Sequence, residues 1–159
     1  MLIENSLGEF SDAQLLSGAA ESTNYVDLEI AKHKAGQAPL WLWLRTNVAE
    51  DFGESETFIF AFESDSDSGF ATNLWCHFAL CDTDGSAIAT ADPESTPLKT
   101  AGLTIWASTL PYNCQRYVRW YYTHATGTAV LTVDALLLAG PPPQNMSGDQ
   151  VCVSNVSTI

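Results

Sequence analysis

Basic side chains are scarce in this chain. Lys and Arg number 6 against 19 Asp and Glu, for a formal net charge of −13 at pH 7. A chain so acidic repels nucleic acid and anionic membrane, which carry the same sign. A basic protein surface or a neutral ligand is the partner its charge favours. Long apolar runs are missing too. The best candidate, residues 130–139, is broken by Asp134 and ends at Gly140-Pro-Pro-Pro143, short of the ~20 residues a membrane span needs. The opening Met1-Leu-Ile-Glu-Asn has no basic region and no apolar core of signal-peptide length, so the expectation is a reducing cytosol. Cys76, Cys81, Cys114 and Cys152 are accordingly read as free thiols. Catalytic signatures are absent as well. There is no phosphate loop, no Gly-x-Ser-x-Gly elbow and no His-Glu-x-x-His, and His33, His77 and His124 sit in no catalytic setting. No cofactor is expected.

What is present is strand composition. The 159 residues are 46% apolar and 16% charged, the profile of one folded domain. Tyr25 to Ile30 alternates, with Val26, Leu28 and Ile30 inward, and reads as a strand followed by a polar loop over 32–38. Leu40 to Thr46 is apolar on both faces: Leu40, Leu42 and Leu44 on one, Trp41, Trp43 and Arg45 on the other. Thr57 to Glu63 sets Phe58, Phe60 and Phe62 on one side. Leu74 to Cys81 and Leu103 to Ala107 follow the same logic. Cys114 to His124, a turn at Thr126-Gly-Thr128, and Ala129 to Leu138 read as two paired strands. Seven or eight short strands with turns between them predict an all-β antiparallel sandwich of jelly-roll type. The domain proper spans 24–139. Residues 1–23 are set apart as an N-terminal arm, within which 11–16 reads either as a short helix capped by Ser11 or as irregular chain. Residues 140–159 form a proline-rich linker and a C-terminal arm. Its Val151 to Ile159 has strand composition, fit either to pair with a neighbouring chain's sheet or to fray.

Chemistry-bearing candidates are weak. Asp65-Ser-Asp-Ser-Gly69 offers oxygens at alternate positions, but its glycine falls early and no bidentate glutamate follows, so a solvated turn is favoured over a calcium site. Cys76 and Cys81 point to opposite faces of one strand, and a zinc site with His77, Cys114 or His124 would need the fold to gather them; buried thiols are favoured. The acidic residues fall mostly in loops, where solvation explains them. A hydrolytic carboxylate pair is spatial, so spacing alone does not assemble one. Among the tryptophans, Trp120 reads as core beside Val118 and Tyr122. An exposed row of the others would suit a carbohydrate-binding module, the alternative reading. For Trp41 and Trp43 an interface is preferred.

Several segments resemble a known family. Glu9-Phe-Ser-Asp-Ala-Gln14, Ser22-Thr-Asn-Tyr-Val-Asp-Leu28, Pro39-Leu-Trp41, the loop Asp65-Ser-Asp-Ser-Gly-Phe70, Leu110-Pro-Tyr, Arg116-Tyr-Val-Arg119, Tyr122 and Ala125-Thr-Gly127 together look like the small capsid cement proteins of tailed phages, of the Bordetella-phage type. Each motif alone is weak; their order and spacing over residues 1–138 carry the resemblance. It implies a non-enzymatic jelly-roll protein on the outer capsid surface of a virion. Its partners would be the major capsid protein and further copies of itself, with neither nucleic acid nor membrane. On the facial pattern, Trp41, Trp43, Val151, Val153 and Val156 are the expected capsid or subunit contacts.

Overall fold

The computed structural model describes residues 6–51 and 56–142. Among these residues nine strands make two antiparallel sheets: β1 (Ser6–Leu15), β2 (Ala19–Glu21), β3 (Val26–Asp27), β4 (Leu40–Val48), β5 (Thr57–Asp65), β6 (Trp75–Leu80), β7 (Thr104–Thr109), β8 (Tyr117–Ala125) and β9 (Thr132–Ala139). One sheet runs β1-β9-β4-β7. The other runs β2-β8-β5-β6, with β3 also on β8. Strands β2 and β3 occupy successive stretches of the same strand, pairing with 121–123 and 117–118. They therefore act as one interrupted strand.

The pairs then nest: β1 with β9, β2 and β3 with β8, β4 with β7, β5 with β6. The chain behaves as one long antiparallel ribbon that doubles back between β5 and β6 and is folded over itself. This is the eight-strand jelly roll that the alternating sequence predicts.

The core fills the space between the sheets. Phe58, Phe60 and Phe62 of β5 are fully buried, as are Trp120 and Tyr122 of β8, Leu42 and Leu44 of β4, and Val133, Ala135 and Leu137 of β9. Each such large side chain contributes about 1.5–3 kcal/mol on burial. The Phe62 ring meets Phe10 at 6.1 Å and Trp120 at 5.3 Å, both edge-on, the arrangement the ring quadrupole prefers. Ser11 Oγ lies 2.8 Å from the Tyr122 hydroxyl and joins the two sheets through the core.

Three local readings are corrected. Residues 11–16 form no helix: β1 runs through to Leu15, and residues 6–21, expected as an arm, pair with both sheets. Residues 28–30 are not strand. Asp27 accepts the Glu29 amide at 3.0 Å and caps helix α1, Leu28–Ala35, whose last turn carries Lys32, His33 and Lys34. Gly36, at φ 61°, closes it by donating its amide to the Lys32 carbonyl. Leu28 and Ala31 face the core, and Ile30 is 55% exposed rather than inward. Finally, β8 and β9 are not paired with each other. Thr126 and Gly127 both adopt positive φ, and the chain crosses there from one sheet to the other. The segment 143–159, with Val151, Val153 and Val156, lies outside the described residues.

Candidate functional site

Strands β4 and β9 lie side by side, so their outward side chains share one face. Trp41 pairs with Leu138 and Trp43 with Leu136, while Ala107 of β7 sits across from Trp43. These five residues form a second apolar cluster outside the main core. Trp43 is only 2% exposed, and Trp41 is half-buried. Trp43 Nε1 donates to Thr104 Oγ1 at 2.9 Å, and the Arg45 guanidinium lies 5.2 Å from its ring. The two tryptophans thus lie together as the alternation predicts, and Trp43 is held by neighbours within the chain.

The remaining tryptophans scatter. Trp106 is half-buried, Trp120 is core, and Trp75 is 51% exposed on the edge strand β6. No row of exposed tryptophans exists for stacking sugars.

Beside the tryptophan face stands a polar cluster that spacing did not reveal. Asp134 on β9 is 3% exposed. It accepts from Arg45 Nε at 2.8 Å, from the Ala13 amide at 2.8 Å and from Asn47 Nδ2 at 3.2 Å, and Arg45 Nη2 adds an ion pair at 2.8 Å. The Ala13 amide reaches it because β1 bulges between Ser11 and Gln14, with Ala13 at φ 49°. Burial pushes the Asp134 carboxyl up, but the Ala13 amide, Arg45 and Asn47 together pull it below its ordinary value.

Asp134 is one of several buried acids that solvation does not explain. Glu50, Glu56, Glu63, Asp65, Glu94 and Asp134 are all under a tenth exposed. Most hold backbone amides or arginines. Glu50 Oε2 accepts the amides of Val130 and Leu131 at 3.1 and 3.0 Å, anchoring the crossover before β9. Glu63 accepts from Arg119 Nε at 2.8 Å, and Arg119 also pairs with Glu21. Asp65 accepts the amides of Asp67, Thr72 and Asn73. Burial pushes the Asp65 carboxyl up, yet these bonds and Ser66 hold it below the usual range. The loop that begins at Asp65 is therefore folded around a carboxylate that faces N–H donors. The carboxylates of Glu50, Asp51 and Glu56 approach within 4.8 Å of one another.

The histidines differ in setting. His33 is exposed on α1. His124 Nδ1 accepts the Gly18 amide at 3.3 Å. His77 Nε2 lies 2.7 Å from Ser64 Oγ, brought there by the β5–β6 pairing across a register shift. A hydroxyl beside an imidazole is the nucleophile–base arrangement. Here Ser64 is fully buried, and its oxygen also accepts the Gln115 amide at 3.1 Å. Burial lowers the His77 pKa against the opposing bond to Asn113. Cys76, Cys81 and Cys114 are free thiols, and burial pushes Cys114 up to about 12. Among the described residues these thiols and the histidines are not gathered into a ligand cluster.

One open concavity was not legible in the sequence. Where β4 begins and β7 ends, Pro39, Leu40, Thr109, Leu110, Pro111 and Tyr112 line a groove of about 240 Å³, closed on one side by Lys32 of α1. Leu40 and Leu110 form its floor and pack on the main core. The Tyr112 side chain is 99% exposed.

The fold defines an all-β jelly-roll protein whose candidate sites are surfaces. The model of the family described as Bbp16 matches residues 10–135, from β1 into β9. The chain belongs to the Bbp16 family, a name in keeping with the Bordetella-phage resemblance of its motifs. No curated protein matches it. No helix among the described residues is long and apolar enough to cross a membrane.

Proposed function

We propose that this chain is a capsid cement protein. It binds the outer surface of a phage head, bridges neighbouring major capsid subunits and stabilises the mature shell. The observation that carries the reading is the extent of the family match, which covers the sandwich nearly end to end. In this reading the chain performs no reaction and needs no cofactor. It contacts the major capsid protein and further copies of itself, and neither nucleic acid nor membrane. The charge of −13 favours docking on basic patches of the shell and speeds encounter. A specific contact of this kind buries ~1,200–2,000 Å². Many copies on one lattice add avidity, and binding only the mature shell stabilises that state by linkage. Trp41 and the tail bearing Val151, Val153 and Val156 are the proposed contact regions. Trp43, nearly covered within the chain, packs beside Trp41.

Purified protein should add back to stripped, expanded heads and raise their resistance to heat and osmotic shock. Failure to bind any form of the head would end this reading.

A further inference from the structure

We propose that the groove between α1 and the 109–112 turn docks an extended segment of a partner protein that presents an apolar side chain next to a carboxylate. Size argues first. At about 240 Å³ the groove is smaller than the ~300–1,000 Å³ of pockets that hold small molecules, and it suits one or two side chains. Lining argues second. Leu40, Leu110, Pro111 and Pro39 offer an apolar trough with a floor fixed by the core, and the exposed Tyr112 stands at its rim. Tyrosine at such a position is a frequent anchor of protein contacts, because its ring brings large area at small entropic cost.

Charge complementarity selects the occupant. Of the six basic residues, Arg45 is paired with Asp134, Arg116 with Asp27 and Glu29, and Arg119 with Glu63 and Glu21. Lys99 donates to the Thr90 carbonyl. Lys32 and Lys34 remain, exposed and without an ion pair among the described residues, and Lys32 lines the groove. In a chain of charge −13 this groove sets positive charge without an ion pair among the described residues against apolar walls. A carboxylate beside an apolar residue satisfies both. Assigning that segment to a shell subunit rests on the cement reading; the groove's preference does not.

The test uses the full-length, isotope-labelled protein and two probes, the capped peptide Gly-Asp-Leu-Asp-Leu-Gly and its counterpart with lysine in place of aspartate. The aspartate peptide should shift the amide resonances of Lys32, Leu40, Leu110 and Tyr112 saturably, and the lysine peptide should not. Lys32→Glu and Tyr112→Ala each alter an exposed side chain. Each should weaken binding about tenfold, the loss of one good contact, with thermal melting unchanged. Equal binding of both peptides would overturn the proposal, as would no shift at these residues. Concentration-dependent shifts there without peptide would give the groove to a second copy. Cross-relaxation from residues 143–159 to the Tyr112 ring in dilute protein would give it to the chain's own tail. Either result also overturns the proposal. Head binding can fail while the peptide binds, so the two readings are separable.

Discussion

Asp134→Ala is expected to be among the most damaging single substitutions outside the main core. The carboxylate receives two bonds from Arg45, one from the Ala13 amide and one from Asn47, at 3% exposure. Its removal takes a buried carboxylate away from Arg45 and leaves the Ala13 amide without the acceptor it has here. Breaking a buried pair in this way costs ~3–5 kcal/mol. The Arg45 side chain is 18% exposed and regains some hydration, which moves the expectation to the lower end, about 3 kcal/mol. In a chain of this size that lowers Tm by roughly 6–12 °C. Asp134→Asn keeps an acceptor for Ala13 but loses the charge, and should cost about half as much. Urea unfolding at pH 7 of both variants, of Arg45→Ala and of the double variant measures the coupling, expected at roughly 1–3 kcal/mol. The sign with pH follows from the lowered carboxyl. Its contribution is present above the unfolded value of about 3.9 and is lost as pH falls through the lower folded one. The advantage over Asp134→Asn should therefore be full above about pH 5 and shrink below about pH 4. A loss under ~1 kcal/mol for Asp134→Ala, or simple additivity with Arg45→Ala, would refute the reasoning.

Three further outcomes are expected. A Cβ at Gly8 would stand 2.6 Å from Val26 Cγ2, so Gly8→Ala should cost about 1–3 kcal/mol in urea unfolding, and Val26→Ala should partly relieve it. Phe62→Ala empties a fully buried site among Phe10, Phe78 and Trp120 and should cost about 3–5 kcal/mol by the same measurement. Cys114, with its thiol held near 12 by burial, should resist maleimide at pH 8 in the folded protein and react once unfolded, as peptide mapping by mass spectrometry would show.

The strands that were legible in sequence are those where burial wrote a period-two pattern. Phe58, Phe60 and Phe62 point one way and are all core, and Val118, Trp120 and Tyr122 repeat the case on β8. Strand β1 escaped because its ladder is broken by register shifts and its sequence, Ser-Leu-Gly-Glu-Phe-Ser-Asp-Ala-Gln-Leu, places a single apolar side chain, Phe10, firmly in the core. Helix α1 escaped because Val26, Leu28 and Ile30 imitate alternation, while the deciding interaction is the Asp27 cap. The two-sided apolar character of 40–46 did show, and it corresponds to the outer tryptophan cluster. The groove was invisible, since it joins α1 to the ends of β4 and β7, which only the fold brings together. The buried acids were hidden for a similar reason: their partners are amides and arginines far along the chain, as with Ala13 and Asp134.

The nested strand order has a bearing on how the molecule is made. Contacts of such long sequence separation fold slowly, because loop closure must precede the reward. Among the described strands β5 and β6 are the nearest paired neighbours in sequence and β1 and β9 the most distant, so loop-closure entropy disfavours forming the β1–β9 pair early. During translation β1 leaves the ribosome before the other strands described, and its partner β9 is the last of them to follow. Ser11, Asp12 and Gln14 keep that idle strand hydrated, and its bulges spoil it as a template for pairing between nascent chains.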